Sequence, residues 1–272
     1  MARLSINEVT TYRWSFEEDV THYAAAGIKA IGVWRRKLAD FGEEKGIELL
    51  ADAGLSVSNL GWAGGFTGSD GRSFRESMED AAEAIRLAGA LRAGCLVVYT
   101  GARGGHTHNH ARRLMIDALQ ELVPLAAEHR VSLALEPMHL GCAAEWTFLN
   151  TLDDTLSMLA KVGSPHVGLV FDTYHLGHDA KVLDRIDQIV RYVRVVHLGD
   201  GKAPPDKEQD RSRLGDGVIP LGEITAALAS AGYDGDYDVE LIGEEIGGVD
   251  YHGLIEQSKR AFHELLSGCS AK

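Results

Sequence analysis

The chain has 272 residues, 45% apolar and 25% charged, which is the composition of a globular domain with enough aliphatic side chains to offset its ordering entropy. Acids outnumber bases 40 to 27, and the net charge of −13 excludes the basic footprint that nucleic-acid or anionic-membrane binding needs. No low-complexity linker divides the chain, so 1–272 reads as a single domain.

Cys95, Cys142 and Cys269 cannot all pair with one another and none lies in a C-x-x-C arrangement. This is the usage of reduced thiols in a cytoplasmic protein. MARLSINEVT lacks the basic-then-apolar pattern of a signal peptide, and no apolar run approaches the length of a spanning helix.

In chain order, short runs rich in Val, Ile and Leu predict strands at 3–9, 29–34, 55–61, 95–100, 131–136, 167–172, 193–198 and 236–241. Helical segments fill the intervals. Many end in a small-residue run with Gly, as in AAAG at 24–27, ADAG at 51–54, LRAG at 91–94, KVG at 161–163 and SAG at 230–232. Ser15-Phe-Glu-Glu18 and Ser73-Phe-Arg-Glu76 are capping boxes, and Thr151-Leu-Asp-Asp154 is a variant with Asp in place of Glu. The acidic stretches 16–19 and 43–48 read as solvated helix faces. Eight alternating βα units predict a (β/α)8 barrel of the α/β class. The rival, a doubly wound open sheet, lacks G-x-G-x-x-G at its first βα junction.

Chemistry in such a barrel sits at the C-terminal strand ends. There, strand 5 ends at Glu136, strand 6 at Asp172, strand 7 at His197 and strand 8 at Glu240. A carboxylate closing an apolar run is costly unless paired or coordinated, and three converging on one mouth repel unless a cation sits among them. Three oxygen donors and one imidazole suit one divalent ion with open positions: Mn²⁺ first, with Mg²⁺, Co²⁺ or Zn²⁺ as alternatives.

LALEPMH, VFDTYHLGHD, VVHLGDGK, RSRLGDGVIPL and YDGDYDVEL resemble the xylose-isomerase-like barrel superfamily. Within it they are most similar to the sugar phosphate isomerase/epimerase type, which includes inosose isomerases and ketose 3-epimerases. The resemblance implies that Glu136, Asp172, His197 and Glu240 bind the metal and that Glu136 and Glu240 also act as the acid/base pair. It implies a proton taken from the carbon next to a carbonyl, through an enediolate that the metal stabilises. It further implies a substrate contact for His175 and for an arginine in RSRLGDG, Arg213 or its neighbour Arg211. The G-D-G at 215–217 reads as a turn.

His139, in Glu-Pro-Met-His, departs from the ketose 3-epimerase pattern. A similar motif occurs in the catalytic subunits of C-glycoside deglycosidases, which implies a second possibility. This is a metal-dependent lyase cleaving 3-oxo-glycosides, with His139 as base and a small partner subunit. In ARGGHTHNHARR, His106, His108 and His110 alternate unlike a zinc site; His106 reads as substrate-facing, and Asn109 as a cap for the next helix. Trp34, Trp62 and Tyr99 fall at the ends of strands 2 to 4 and Trp14 after strand 1, where aromatic walls suit sugar faces. The remaining rivals are an endonuclease-IV-type barrel, which the charge disfavours, and a non-catalytic sugar binder, which needs no acid/base pair. The expected partners are a small carbohydrate, without a phosphate-binding Lys/Arg cluster, and further copies of the chain.

Overall fold

A computed structural model describes residues 2–207 and 209–269, and the side chain of Cys269 lies outside what it describes. Eight strands, β1 (Arg3–Asn7), β2 (Ala30–Trp34), β3 (Ser56–Gly64), β4 (Leu96–Tyr99), β5 (Leu133–Leu135), β6 (Val167–Asp172), β7 (Val193–Leu198) and β8 (Asp236–Val239), pair in chain order into a closed barrel. Every pairing is parallel, β8 with β1 included. All eight predicted strands are present. β5 and β8 stop one residue short of Glu136 and Glu240, and β3 runs on to Gly64.

The principal helices outside the barrel are α1 (Phe16–Ala25), α2 (Arg35–Phe41), α3 (Glu43–Ala53), α4 (Phe74–Leu91), α5 (His108–Glu128) and α6 (Leu152–Val162). They are followed by α7 (Thr173–Leu176), α8 (Ile186–Ile189), α9 (Leu221–Ser230), α10 (Glu244–Gly247) and α11 (Tyr251–Cys269). Ser15 and Ser73 form the full capping boxes, and Thr151 caps α6 through the Asp154 N–H. α5 is capped by Thr107, not Asn109: the Thr107 hydroxyl accepts from the His110 N–H and Asn109 already lies within the helix. In LRAG the left-handed residue is Arg92, with φ of 52°. Gly94 is required for another reason: a Cβ there would meet the Ser58 carbonyl oxygen at 2.5 Å.

The main core lies between the barrel wall and the helices, for example Ile31, Leu60, Ile85, Leu119, Leu169 and Ile224, all fully buried. Inside the barrel a small apolar layer of Cys95, Val97, Ala134, Val170 and Val195 packs under Trp62. Beside it runs a polar layer: Asp238 accepts from Asn7 at 2.7 Å and Asn59 at 2.8 Å, with Ser5 and Ser58 joined below. Filled in this way, the barrel has a solid floor, and its reactive end is the mouth. Among the described residues no helix is long and apolar enough to cross a membrane.

Candidate metal and active site

Parallel strands deliver their C-terminal residues to one rim, and the register sets Asp172 directly beside His197. Glu136, Asp172, His197 and Glu240, each at most 4% exposed, offer ligand atoms that all lie within 4.8 Å of one another. His197 Nδ1 is 2.9 Å from Glu136 Oε1, 3.0 Å from Glu240 Oε2 and 4.0 Å from Asp172 Oδ2. Asp172 Oδ1 caps α7 by accepting from the Tyr174 and His175 N–H groups, which leaves Oδ2 for the mouth.

The donor chemistry fits a divalent ion. Asp172 Oδ2, Glu240 Oε2 and His197 Nε2 are buried without an aligned hydrogen bond, a costly state that a coordinated cation relieves at the two oxygens. Hard oxygen donors with one imidazole match the set expected for an open, oxygen-rich site.

Arg211, 2% exposed, enters this cluster from the loop between β7 and α9. Its Nη2 lies 2.9 Å from Asp172 Oδ2 and 3.4 Å from Glu240 Oε2, its Nη1 donates to the Glu240 carbonyl, and its guanidinium covers the Tyr174 ring at 4.8 Å. Asp200 pins the same loop: its two oxygens accept from the N–H groups of Gly201, Gly215, Gly217 and Ile219.

The local fields are strong. Burial alone would raise Glu240, but Arg211 and His197 draw it down to about 2. Burial raises Glu136, and His197 offsets only part of that. Burial would lower His197, yet Glu240 and Glu136 hold it well above its ordinary value. Burial takes His175 down to about 4, with Asp172 opposing and Arg211 assisting.

The remaining sequence candidates divide. His175 is 3% exposed, its Nδ1 lies 3.6 Å from Cys142 Sγ and its Nε2 has no partner. Arg213 is half-buried, and no ion pair of it occurs among the described residues, whereas Arg211 sits in the cluster. His139 is half-buried; its Nδ1 accepts from the Gly141 N–H at 3.1 Å. His106 bonds the Thr67 carbonyl and stacks on His110, and His108 meets Phe148. Trp34, Trp62, Trp146 and Tyr99 form a chain of ring contacts at 6.2–6.4 Å. Trp34 and Trp62 line one narrow crevice with His197, too tight to hold a water molecule, so these rings adjoin the cluster. Trp14 packs instead against His22, Tyr251 and His252. Sequence reasoning missed Trp146 and the place of Cys142 beside His175. The signal for both was the long stretch between strand 5 and the next capping motif, a loop that has to lie over the mouth.

A (β/α)8 barrel with buried carboxylates and an imidazole converging at its mouth falls in the class of barrels able to hold a metal there. The family described as Xylose isomerase-like TIM barrel matches residues 20–265, and the chain belongs to it. Among curated relatives, it is 27% identical to the inosose isomerase of Halalkalibacterium halodurans over 57% of this chain and 55% of that protein. It is 30% identical to the D-psicose 3-epimerase of Enterocloster bolteae over 43% of this chain and 36% of that one. The probable endonuclease 4 of Pediococcus pentosaceus is 30% identical over 54% of this chain and 52% of that protein. The matches thus span about half or less of these relatives' length. Protein SMc04130 from Sinorhizobium meliloti superposes with a TM-score of 0.89 at 29% identity, covering 96% of this chain and 98% of that one. The IolI protein, solved with a binding zinc atom, superposes at 0.86 and 20% identity, covering 99% and 100%.

Proposed function

We propose that this protein is a divalent-metal-dependent isomerase or epimerase of a keto-sugar or inosose. The observation that carries the reading is the convergence of Glu136, Asp172, His197 and Glu240 within 4.8 Å, with buried polar atoms that have no aligned hydrogen bond. The named activities of the inosose isomerase and psicose epimerase relatives support the substrate class. The ion, Mn²⁺ by preference, supplies positive charge for the oxyanion that develops when a proton leaves the carbon next to a carbonyl.

This chain's own residues do the rest. Glu136 and Glu240 reach the mouth from strands three places apart, so one can take a proton from carbon while the other returns it. Return to the same carbon epimerises; return to its neighbour isomerises. Arg211 adds a buried cation beside Glu240 and Asp172, placed to hold a substrate oxygen. The aromatic rings of Trp34, Trp62, Trp146 and Tyr99 stand beside His197, and aromatic faces suit the apolar face of a sugar. We place the enzyme in the cytoplasm as a homo-oligomer; the unpaired, buried Cys95 and Cys142 support a reducing compartment.

The lyase reading needs His139 at the reacting carbon. Its Nδ1 is engaged by Gly141, and no side-chain hydrogen bond or ion pair joins it to the four-residue cluster among the described residues, so the isomerase/epimerase reading is preferred. The nuclease reading needs more ligands, and among the described residues no second group of three or more ligand residues is found.

The test is turnover with added Mn²⁺ on ketohexoses, inososes and 3-oxo-glycosides, followed by mass spectrometry and NMR in deuterated water. Mass-neutral products with deuterium next to the carbonyl are expected. A released aglycone lost on His139→Ala would move the protein to the lyases.

A further inference from the structure

Cys142 and His175 lie outside the metal-ligand set, yet they pack at its edge. Cys142 is 7% exposed and His175 3%. The thiol faces two acceptors, the His139 carbonyl at 3.5 Å and His175 Nδ1 at 3.6 Å. It carries one hydrogen and can satisfy only one of them.

The bookkeeping decides which. The His139 carbonyl already accepts from the N–H groups of Cys142 at 3.1 Å and Ala143 at 3.0 Å, the full capacity of its two lone pairs. His175 Nδ1 has no other partner among the described residues. Imidazole nitrogen is a strong acceptor and sulfur a weak one, so the S–H group belongs to Nδ1. His175 has no aligned bond to a carboxylate from its ring, and a charged ring this deeply buried would be costly, so the ring is neutral. A neutral ring that accepts at Nδ1 carries its proton on Nε2. Nε2 of His175 is buried and has no hydrogen-bond partner among the described residues.

We infer that Cys142 is a positioning residue that fixes His175 as the Nε2–H tautomer, so that His175 serves the site as a hydrogen-bond donor to a substrate oxygen and not as a base. The donor role rests on the function proposed above; the tautomer assignment does not. A preset donor costs no rearrangement when negative charge grows on the substrate oxygen. A ring free to exchange tautomers would present a lone pair to that oxygen part of the time.

The test uses ring-¹⁵N-labelled histidine in the full-length protein, with the His175 signals identified by their loss in His175→Gln. The Nε2–H pattern is expected in the wild type and in Cys142→Ser, whose hydroxyl also donates. In Cys142→Ala the Nδ1–H form should appear. An Nδ1–H ring in the wild type, or an unchanged tautomer in Cys142→Ala, would overturn the assignment. In turnover with Mn²⁺, Cys142→Ala should lose about three- to tenfold in kcat with little change in KM, and Cys142→Ser should restore it. Wild-type kcat in Cys142→Ala, with the tautomer shifted, would overturn the donor role. Absence of turnover on every substrate by the wild type, with the tautomer as assigned, would instead overturn the proposed function.

Discussion

Two buried charge clusters sit at the barrel mouth, and they are built in opposite ways. One, at the ends of β1 and β2, joins Glu8, Asp19 and Lys37 with Thr11 and Tyr23. Lys37 Nζ donates to Asp19 and to the carbonyls of Glu8 and Thr11; Thr11 donates to the other Asp19 oxygen and bonds Tyr23. Glu8 accepts from the Trp34 N–H, and only its Oε1 lacks a partner. The second cluster, at the ends of β5 to β8, turns three carboxylates toward one point around His197 and Arg211, and although Arg211 and His197 ion-pair with two of them, Asp172 Oδ2, Glu240 Oε2 and His197 Nε2 lack an aligned hydrogen bond. The first closes on itself and ties the β1–α1 loop to α2. The second is complete only with something added. Buried charge is therefore a poor marker of function by itself; unsatisfied buried charge aimed at a common point is a better one.

The comparison breaks first at Glu240. Glu240→Gln keeps the shape and removes the carboxylate that the proposed function uses both to hold the ion and to move a proton. Turnover should fall by at least about 10³-fold, within the range that general acid–base groups supply. Without metal the Tm should fall, because Arg211 and His197 lose the buried carboxylate they face, and the rise in Tm on adding Mn²⁺ should shrink. Wild-type rates in this variant would sink the two-glutamate mechanism.

Lys37→Met asks the complementary question. It strands Asp19 and two carbonyls in the interior, and breaking a buried pair in this way costs about 3–5 kcal/mol. Urea unfolding should show that loss, while kcat per folded molecule stays at the wild-type value. A selective loss of kcat with normal stability would mean that the first cluster takes part in the chemistry after all.

A smaller effect separates the two arginines. Arg211→Ala should reduce kcat/KM about 10²-fold, the scale of a lost charged donor near the reacting atoms. Arg213→Ala should stay within about threefold, as is usual for a side chain without a fixed partner. The reverse order would return the substrate contact to Arg213.

These arginines also mark where the sequence stops being legible. The barrel and the four residues that converge at its mouth could be read because their strands are short apolar runs closed by a single polar residue. A carboxylate or imidazole at the end of such a run is expensive to bury unless it has work at the mouth. Parallel strands then carry those four ends to one rim without further information. The loop between β7 and α9 has no such period. Which arginine turns inward depends on Asp200 gathering four N–H groups and on an Arg211 N–H bond to the Ile242 carbonyl. Those contacts join residues far apart in sequence. The same holds for Trp146, which joins Trp62 and Tyr99 only after the β5–α6 loop has folded over the mouth, whereas His139 is placed by a local loop bond to Gly141 that no strand or helix period announces. Asn109 has the chemistry of a cap, but Thr107, two residues earlier, competes with it and bonds the His110 N–H.

The smallest expected effect is a pH dependence that belongs to the first cluster. Burial raises the Asp19 carboxyl from 3.8 to about 6, although Lys37 and Glu8 pull it down. Burial and the Asp19 carboxylate likewise push Glu8 well above its ordinary value. The folded state therefore holds these protons more tightly than the unfolded chain. The stability this confers is fully present below 3.8 and is lost as pH rises through about 6. A single such group gives a slope of at most about 1.4 kcal/mol per pH unit in that window. Asp19→Asn replaces it with an amide that does not titrate. Urea midpoints measured between about pH 4 and pH 6 should fall less steeply in the variant than in the wild type, because only the wild type has this proton to lose. Parallel curves would mean that Lys37 keeps Asp19 ionised throughout, and that the first cluster is an ordinary buried ion pair at every pH in the window.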